Sequence, residues 1–274
     1  MSLILGLLIG LVLGLTGAGG SILAVPVLML GLGWSLTDAA PVALIAVCAA
    51  ATFGTIAAWD VSYVRYRAAM LMAAAGFIAA PLGVLAAHAL PATTLVGLFS
   101  GVLVVVAVRM LLQARQHPDE TTIVRADVHG DGVPARGPLC RRHEGRGRLK
   151  WTKPCAFVIS AIGSATGFLS GLLGVGGGFV IVPSLRAATA LSMHSAVATS
   201  LMAIALTSAG TVLVILLSGK SLPWLMALPF AAGALGGMLA GRRLAPRVAG
   251  PRLQQGFAVL MFITAAVLIV RSFA

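Results

Sequence analysis

Charge is scarce in this chain, and acidic charge most of all. Only 9% of the 274 residues are Asp, Glu, Lys or Arg, and seven of them are acidic. Soluble domains average about 25% charged residues. A water-facing surface cannot be built from so few, so a soluble globular protein is excluded. Aromatic residues are also few, at 6% with two tyrosines. The net charge of +12 therefore has no aromatic-plus-basic surface beside it, and a nucleic-acid partner is not expected. The three cysteines, Cys48, Cys140 and Cys155, stand at no metal or redox spacing and read as free structural thiols. Cys140 and His143 form a CxxH pair without a second ligand pair, so no metal site is expected. The glycine stretches give no GxGxxG at the end of a strand, which excludes a dinucleotide loop. No nucleophile, base and metal set converges, so the expectation is no enzyme and no cofactor.

What the chain has in quantity is apolar length. Hydrophobic residues make up 59% and mean hydropathy is +1.03. Residues 1–37, 39–59, 68–108, 156–185, 187–219, 221–241 and 253–270 contain no Asp, Glu, Lys or Arg. A spanning helix needs about 20 apolar residues, so several runs hold one span and some hold two. The N-terminus has no basic region ahead of its apolar stretch, and reads as a retained segment.

The chain also repeats itself. GLVLGLTGAGGSILAVPVLM at 10–29 returns as GFLSGLLGVGGGFVIVPSLR at 167–186. Gly10/Gly167, Gly14/Gly171, Gly17/Gly174, Gly19/Gly176, Gly20/Gly177 and Pro26/Pro183 match at an offset of 157. Residues 2–33 as one helix would run about 48 Å, too long for a core of about 30 Å. Two short helices meeting at the glycines fit better, and residues 155–190 repeat the arrangement. Spans are expected at 37–58, 67–89 and 92–113, then at 193–218, 222–241 and 252–270. The fold class is thus an all-α membrane protein of two homologous halves, each a glycine-broken hairpin plus three full spans. The first repeat covers 1–113 and the second 153–274. Between them, 114–152 is a basic, Gly- and Pro-rich linker without hydrophobic period.

Charge bias favours inverted halves. If each hairpin enters and leaves on one side, 17 of the 19 Lys and Arg residues share the linker's side. If each hairpin is a net crossing, the split is 14 to 5. Positive loops face the cytoplasm, which puts the linker inside and both termini in the periplasm.

A helix that begins inside the bilayer leaves its first N–H groups without partners, and its dipole places about half a positive charge there. Such a break must be buried in protein or line a wet cavity, and an anion is its natural occupant. Paired broken segments in two halves also point to a transporter's binding site. The expected substrate site comprises Thr16, Gly17, Ala18, Gly19, Gly20 and Ser21 at the first break. Gly174, Val175, Gly176, Gly177, Gly178 and Phe179 form it at the second. Thr52 and Thr55, with Ser208 and Thr211 as their counterparts, supply hydroxyls; Thr199 and Ser200 are second choices. Asp38 and His194 are candidates for gating or proton coupling. No nucleotide-binding motif is present, so ATP is not the direct drive.

GLTGAGGSILAVP at 14–26, GLLGVGGGFVIVP at 171–183 and HSAVATSL at 194–201 resemble the sulfite exporter TauE/SafE family of membrane permeases. The resemblance covers both halves. It implies a permease of the bacterial inner membrane that moves sulfite, sulfoacetate or another sulfonate. Membrane lipid, the small anion, protons and a second copy of the chain are the partners in view. A passive anion channel and a permease for 2-oxo acids are the alternatives.

Overall fold

A computed structural model describes residues 2–16, 19–57, 65–116, 152–189, 193–219, 223–248 and 251–273. Its elements are α1 (Ser2–Thr16), a 3-10 turn (Gly19–Leu23), α2 (Ala24–Leu32), α3 (Leu36–Ile56), α4 (Tyr66–Ala89) and α5 (Ala92–Gln116). They continue with α6 (Lys153–Leu173), α7 (Gly178–Ala188), α8 (Met193–Leu217), α9 (Trp224–Val248) and α10 (Pro251–Phe273). Among the described residues, six helices are long and apolar enough to cross a membrane, with mean hydropathy between 1.5 and 2.2. Their outward faces carry large apolar side chains such as Ile78, Leu85 and Leu225, which suits a lipid surround.

Both glycine clusters interrupt a helix, as expected. The second hairpin differs from the expected pair of short helices. Its first arm, α6, has 21 residues, or about 31 Å, and can cross the bilayer by itself. The break comes late because the first left-handed residue is Gly174, at the end of α6. α7 then has only 11 residues. In the first hairpin α1 has 15 residues, about 22 Å. α2 folds back along it, with Gly31 against Leu5.

The remaining spans fall within a few residues of expectation, with one consequential exception. α9 runs on to Val248 and takes Arg242 and Arg243 into the helix, where a loop was expected after 241. α5 reaches Gln116, past the expected start of the linker. Residues 117–151, including Cys140 and His143, lie outside the described residues, as does Asp60. Cys155 is disulfide-bonded and fully buried. That corrects the reading of three free thiols; Cys48 is free.

The two halves interlock. α1 packs most extensively on α9, and α6 on α4. Gly6, Gly10 and Gly14 of α1 face Phe230, Ala234 and Met238 in turn. Gly163, Gly167 and Gly171 of α6 face Met72, Gly76 and Ala80. Both pairs therefore run parallel, and the facing residues correspond at an offset of 158 in the third span. Lipid gives helices little hydrophobic reason to associate, so small residues that permit backbone contact do the work. A Cβ on Gly10 would overlap the Ala234 carbonyl oxygen, and one on Gly167 the Gly76 carbonyl oxygen.

α3 and α8 form the centre. Leu44 clusters with Ile215, the Cys48 thiol donates to the Ala205 carbonyl, and Gly54 meets Leu201. These two helices therefore run antiparallel. α4 runs parallel to α8: the Arg65 N–H donates to Thr199 Oγ1 and Gly76 meets the Thr207 methyl. Two ends result. The linker end holds the C-termini of α3 and α9 and the N-termini of α4, α6 and α8. The opposite end holds the N-termini of α1, α3 and α9.

Candidate functional site

The second break is built from backbone that only glycine adopts comfortably. Gly174, Gly176 and Gly177 have φ of 71°, 70° and 67°, in the left-handed region that a Cβ opposes. Gly174 caps α6 and donates its N–H to the Ser170 carbonyl. Space is short as well: a Cβ on Gly174 would overlap Ala40. The chain then reverses through Val175 and enters α7 from Gly177, with no side chain capping that helix. In its opening turn the Val180 N–H donates to the Gly177 carbonyl at 3.1 Å. Gly174 through Phe179 are all buried. The glycines thus serve the turn first, and bare backbone follows from it.

The turn reaches the centre of the molecule. A Cβ on Gly176 would lie 2.8 Å from Ser208 Oγ, 3.1 Å from Val47 and 3.6 Å from Ile204. Val47 is the twelfth residue of α3, and Ser208 and Ile204 lie in the middle stretch of α8. The 3-10 turn of the first break packs against α7, so the two interrupted segments meet.

Ser208 is singular there. It is fully buried, and among the described residues its Oγ has no hydrogen-bond partner. A buried hydroxyl without a partner costs about 1–3 kcal/mol. Five of the other nominated hydroxyls give their hydrogens to nearby backbone of their own helices. Thr16 Oγ1 donates to the Val12 carbonyl, Thr52 to Cys48, Thr55 to Ala51, Ser200 to Val197 and Thr211 to Thr207. Thr199 accepts the Arg65 N–H at 3.1 Å. Thr52, the first-half counterpart of Ser208, is exposed. The two breaks also differ in backbone: Gly19 and Gly20 lie in a 3-10 helix, whereas Gly176 and Gly177 are left-handed.

Sequence reasoning missed several neighbours. Ser170 Oγ lies 3.2 Å from Thr211 Oγ1, both fully buried. Thr211 gives its hydrogen to Thr207, so Ser170 is the donor of that pair. Thr166 sits against Gly177 and bonds to the Gly163 carbonyl. Its one-turn spacing from Ser170 on α6 was a visible signal. Arg242 was placed in a loop. In the structure its Nη1 donates to the Gly54 carbonyl at 2.6 Å and its Nη2 to the Ala57 carbonyl at 3.3 Å.

At the first break, Gly17 and Ala18 lie outside the described residues. Gly20 lies against the backbone of Val12 and Leu13, and Ser21 is fully buried in the 3-10 turn. Asp38 stands apart from both breaks, in the first turn of α3 at the opposite end. Its backbone N–H donates to Ser35 Oγ, which caps α3, and Ser35 Oγ donates to its carboxylate at 2.6 Å. It is exposed. His194 lies in the first turn of α8, at the linker end. Among the described residues, no three of His, Cys, Asp and Glu come together.

Comparison with known proteins agrees with this architecture. The profile described as "Sulfite exporter TauE/SafE" matches residues 2–268. Two proteins of Xylella fastidiosa, from strains 9a5c and Temecula1 / ATCC 700964, are each 30% identical over 274 residues. Each alignment covers 98% of this chain and 94% of the relative, and both relatives carry the name "Probable membrane transporter protein". No solved structure gives a significant match. With interrupted helices meeting at the core of an apolar helical bundle and a family profile spanning almost its full length, the chain belongs to the sulfite exporter TauE/SafE family and is a multi-pass membrane transporter.

Proposed function

We propose that the protein is a secondary transporter for a small sulfur-containing anion, such as sulfite, sulfoacetate or another sulfonate, in the bacterial inner membrane. The anion sits at the second break, between the N-terminus of α7 and Ser208. The observation that carries this reading is the buried, unpartnered Ser208 Oγ facing Gly176. Helix-start N–H groups and one available hydroxyl are donors, and an oxyanion is the guest that accepts from all of them. A site without a cation holds its guest weakly enough to release it.

Alternating access between inverted halves supplies the transport step. What supports it is the antiparallel run of α3 and α8, which follow equivalent hairpins, and the exchange of partners between α1·α9 and α6·α4. Rocking one half against the other would open the central site to each end in turn. In this reading the linker is cytoplasmic and both termini are periplasmic.

A thermal-shift screen of purified protein against sulfite, sulfate, sulfoacetate, taurine and pyruvate tests the substrate class. Stabilisation by the sulfur oxyanions, with none from zwitterionic taurine, is expected. Stabilisation by pyruvate alone would replace the sulfur anion with a 2-oxo acid. No response to any of them would remove the anion site.

A further inference from the structure

We propose that Arg242 forms a second, transient anion site at the linker end, and that an arriving anion unlatches that end by taking the guanidinium away from α3. The proposal rests on the anion reading above and adds a gate to it. Arg242 belongs to the second half and its two acceptors, the Gly54 and Ala57 carbonyls, to the first. The contact thus ties α9 to the C-terminus of α3 across the plane along which the halves must part. Those carbonyls sit at the negative end of a helix dipole, where a cation is favoured. They are nevertheless neutral acceptors. Among the described residues Arg242 forms no ion pair with a carboxylate; the acceptors it has there are these two carbonyls. An oxyanion offers the same fork two charged oxygens, and charge-assisted bonds are roughly twice as strong as neutral ones. An anion can therefore compete for this arginine where another neutral group could not.

The contrast with the other end sharpens the point. At the offset of 158 that relates facing residues, Arg242 corresponds to Val84. Val84 closes the opposite end with Leu44 and Ile215, an apolar cluster. No solute anion weakens that contact. Among the described residues, the Arg242 contact at the linker end is a closure that a negative charge can open. Arg65 and Arg243 stand at the same end and raise the local anion concentration there.

The test reads the opening of α3 directly. Ala51 is fully buried on α3, well inside Ala57. Full-length protein carrying Ala51→Cys and Cys48→Ala is placed in nanodiscs and labelled with a maleimide, with and without sulfoacetate. Thermal shift is read in parallel. Arg242→Gln is expected to speed labelling at least tenfold without any anion; an unchanged rate overturns the latch. Sulfoacetate is expected to speed labelling several-fold in protein with Arg242 and to do nothing in Arg242→Gln. Arg242→Lys keeps the charge without the fork, so an intermediate response is expected. If sulfoacetate stabilises the protein yet labelling ignores it, the unlatching is wrong and the central site stands. If sulfoacetate and the other screened anions leave thermal stability unchanged, the central site falls, and with it the second anion site; the anion-free rates then still decide the latch. A drop in thermal stability of Arg242→Gln with no change in labelling overturns the gate and leaves Arg242 a helix cap.

Discussion

Ser208→Ala separates binding from stability with opposite signs. Among the described residues Ser208 Oγ is buried without a partner, at a cost of about 1–3 kcal/mol. Alanine removes that oxygen and leaves a space smaller than a water molecule, so the empty protein is expected to hold its stability or gain about 1 kcal/mol. With an anion bound, the hydroxyl makes a hydrogen bond to a charged acceptor, which contributes about 1.5–3 kcal/mol. Losing it weakens binding about 10- to 100-fold. The assay is a pair of measurements on the same preparations: thermal unfolding without ligand, and sulfoacetate affinity by titration calorimetry. A merely structural serine would show the reverse pattern, a less stable protein with unchanged affinity. That result would refute the assignment. Thr211→Val is the internal comparison. Thr211 Oγ1 already donates to Thr207 and lies beside Ser170, so its loss is expected to change affinity less than tenfold.

Gly176→Ala is expected to abolish flux in proteoliposomes, because φ is 70° there and a left-handed backbone costs a side chain roughly 1–2 kcal/mol; the added methyl also crowds Ser208. Gly97→Ala, where nothing lies within 4 Å of the added Cβ, is expected to leave flux and thermal stability intact. Gly167→Val places atoms on the Gly76 backbone and is expected to cost the monodisperse peak in size-exclusion chromatography. An epitope on the N-terminus is expected to bind antibody on intact spheroplasts, and one inserted within 118–148 only after permeabilisation; the opposite pattern would reverse the orientation.

The class of the molecule was readable because it follows from local composition. Runs such as 39–59 and 187–219 lack charge, and no packing detail changes what that means in water. The broken hairpins were readable for a similar reason: clustered glycines end helices wherever they fall. The arrangement of the site was not, because it depends on which residues face each other. Ser208 and Thr211 look alike in the chain, both hydroxyls on one apolar helix. Among the described residues Ser208 Oγ, which faces Gly176, has no partner, while Thr211 bonds to its own helix. Arg242 reads as a loop residue because Arg242 and Arg243 end an apolar run. Tertiary contact overrides this, since the α3 carbonyls accept its charge at a depth the run itself does not suggest. The length of α6 was missed because the second hairpin was read as a copy of the first, with two short arms, whereas its first arm runs from Lys153 to Leu173.

The exchanged packing of α1 with α9 and α6 with α4 bears on biogenesis. α1 has its principal mate 222 residues further along the chain, from Ser2 to Trp224. Until then its glycine stripe has nothing to dock against, and the nascent protein must wait in the bilayer half-assembled. Neither half alone should reach its mature form. Two separately expressed fragments, split in the linker, should rescue one another when made in the same cell.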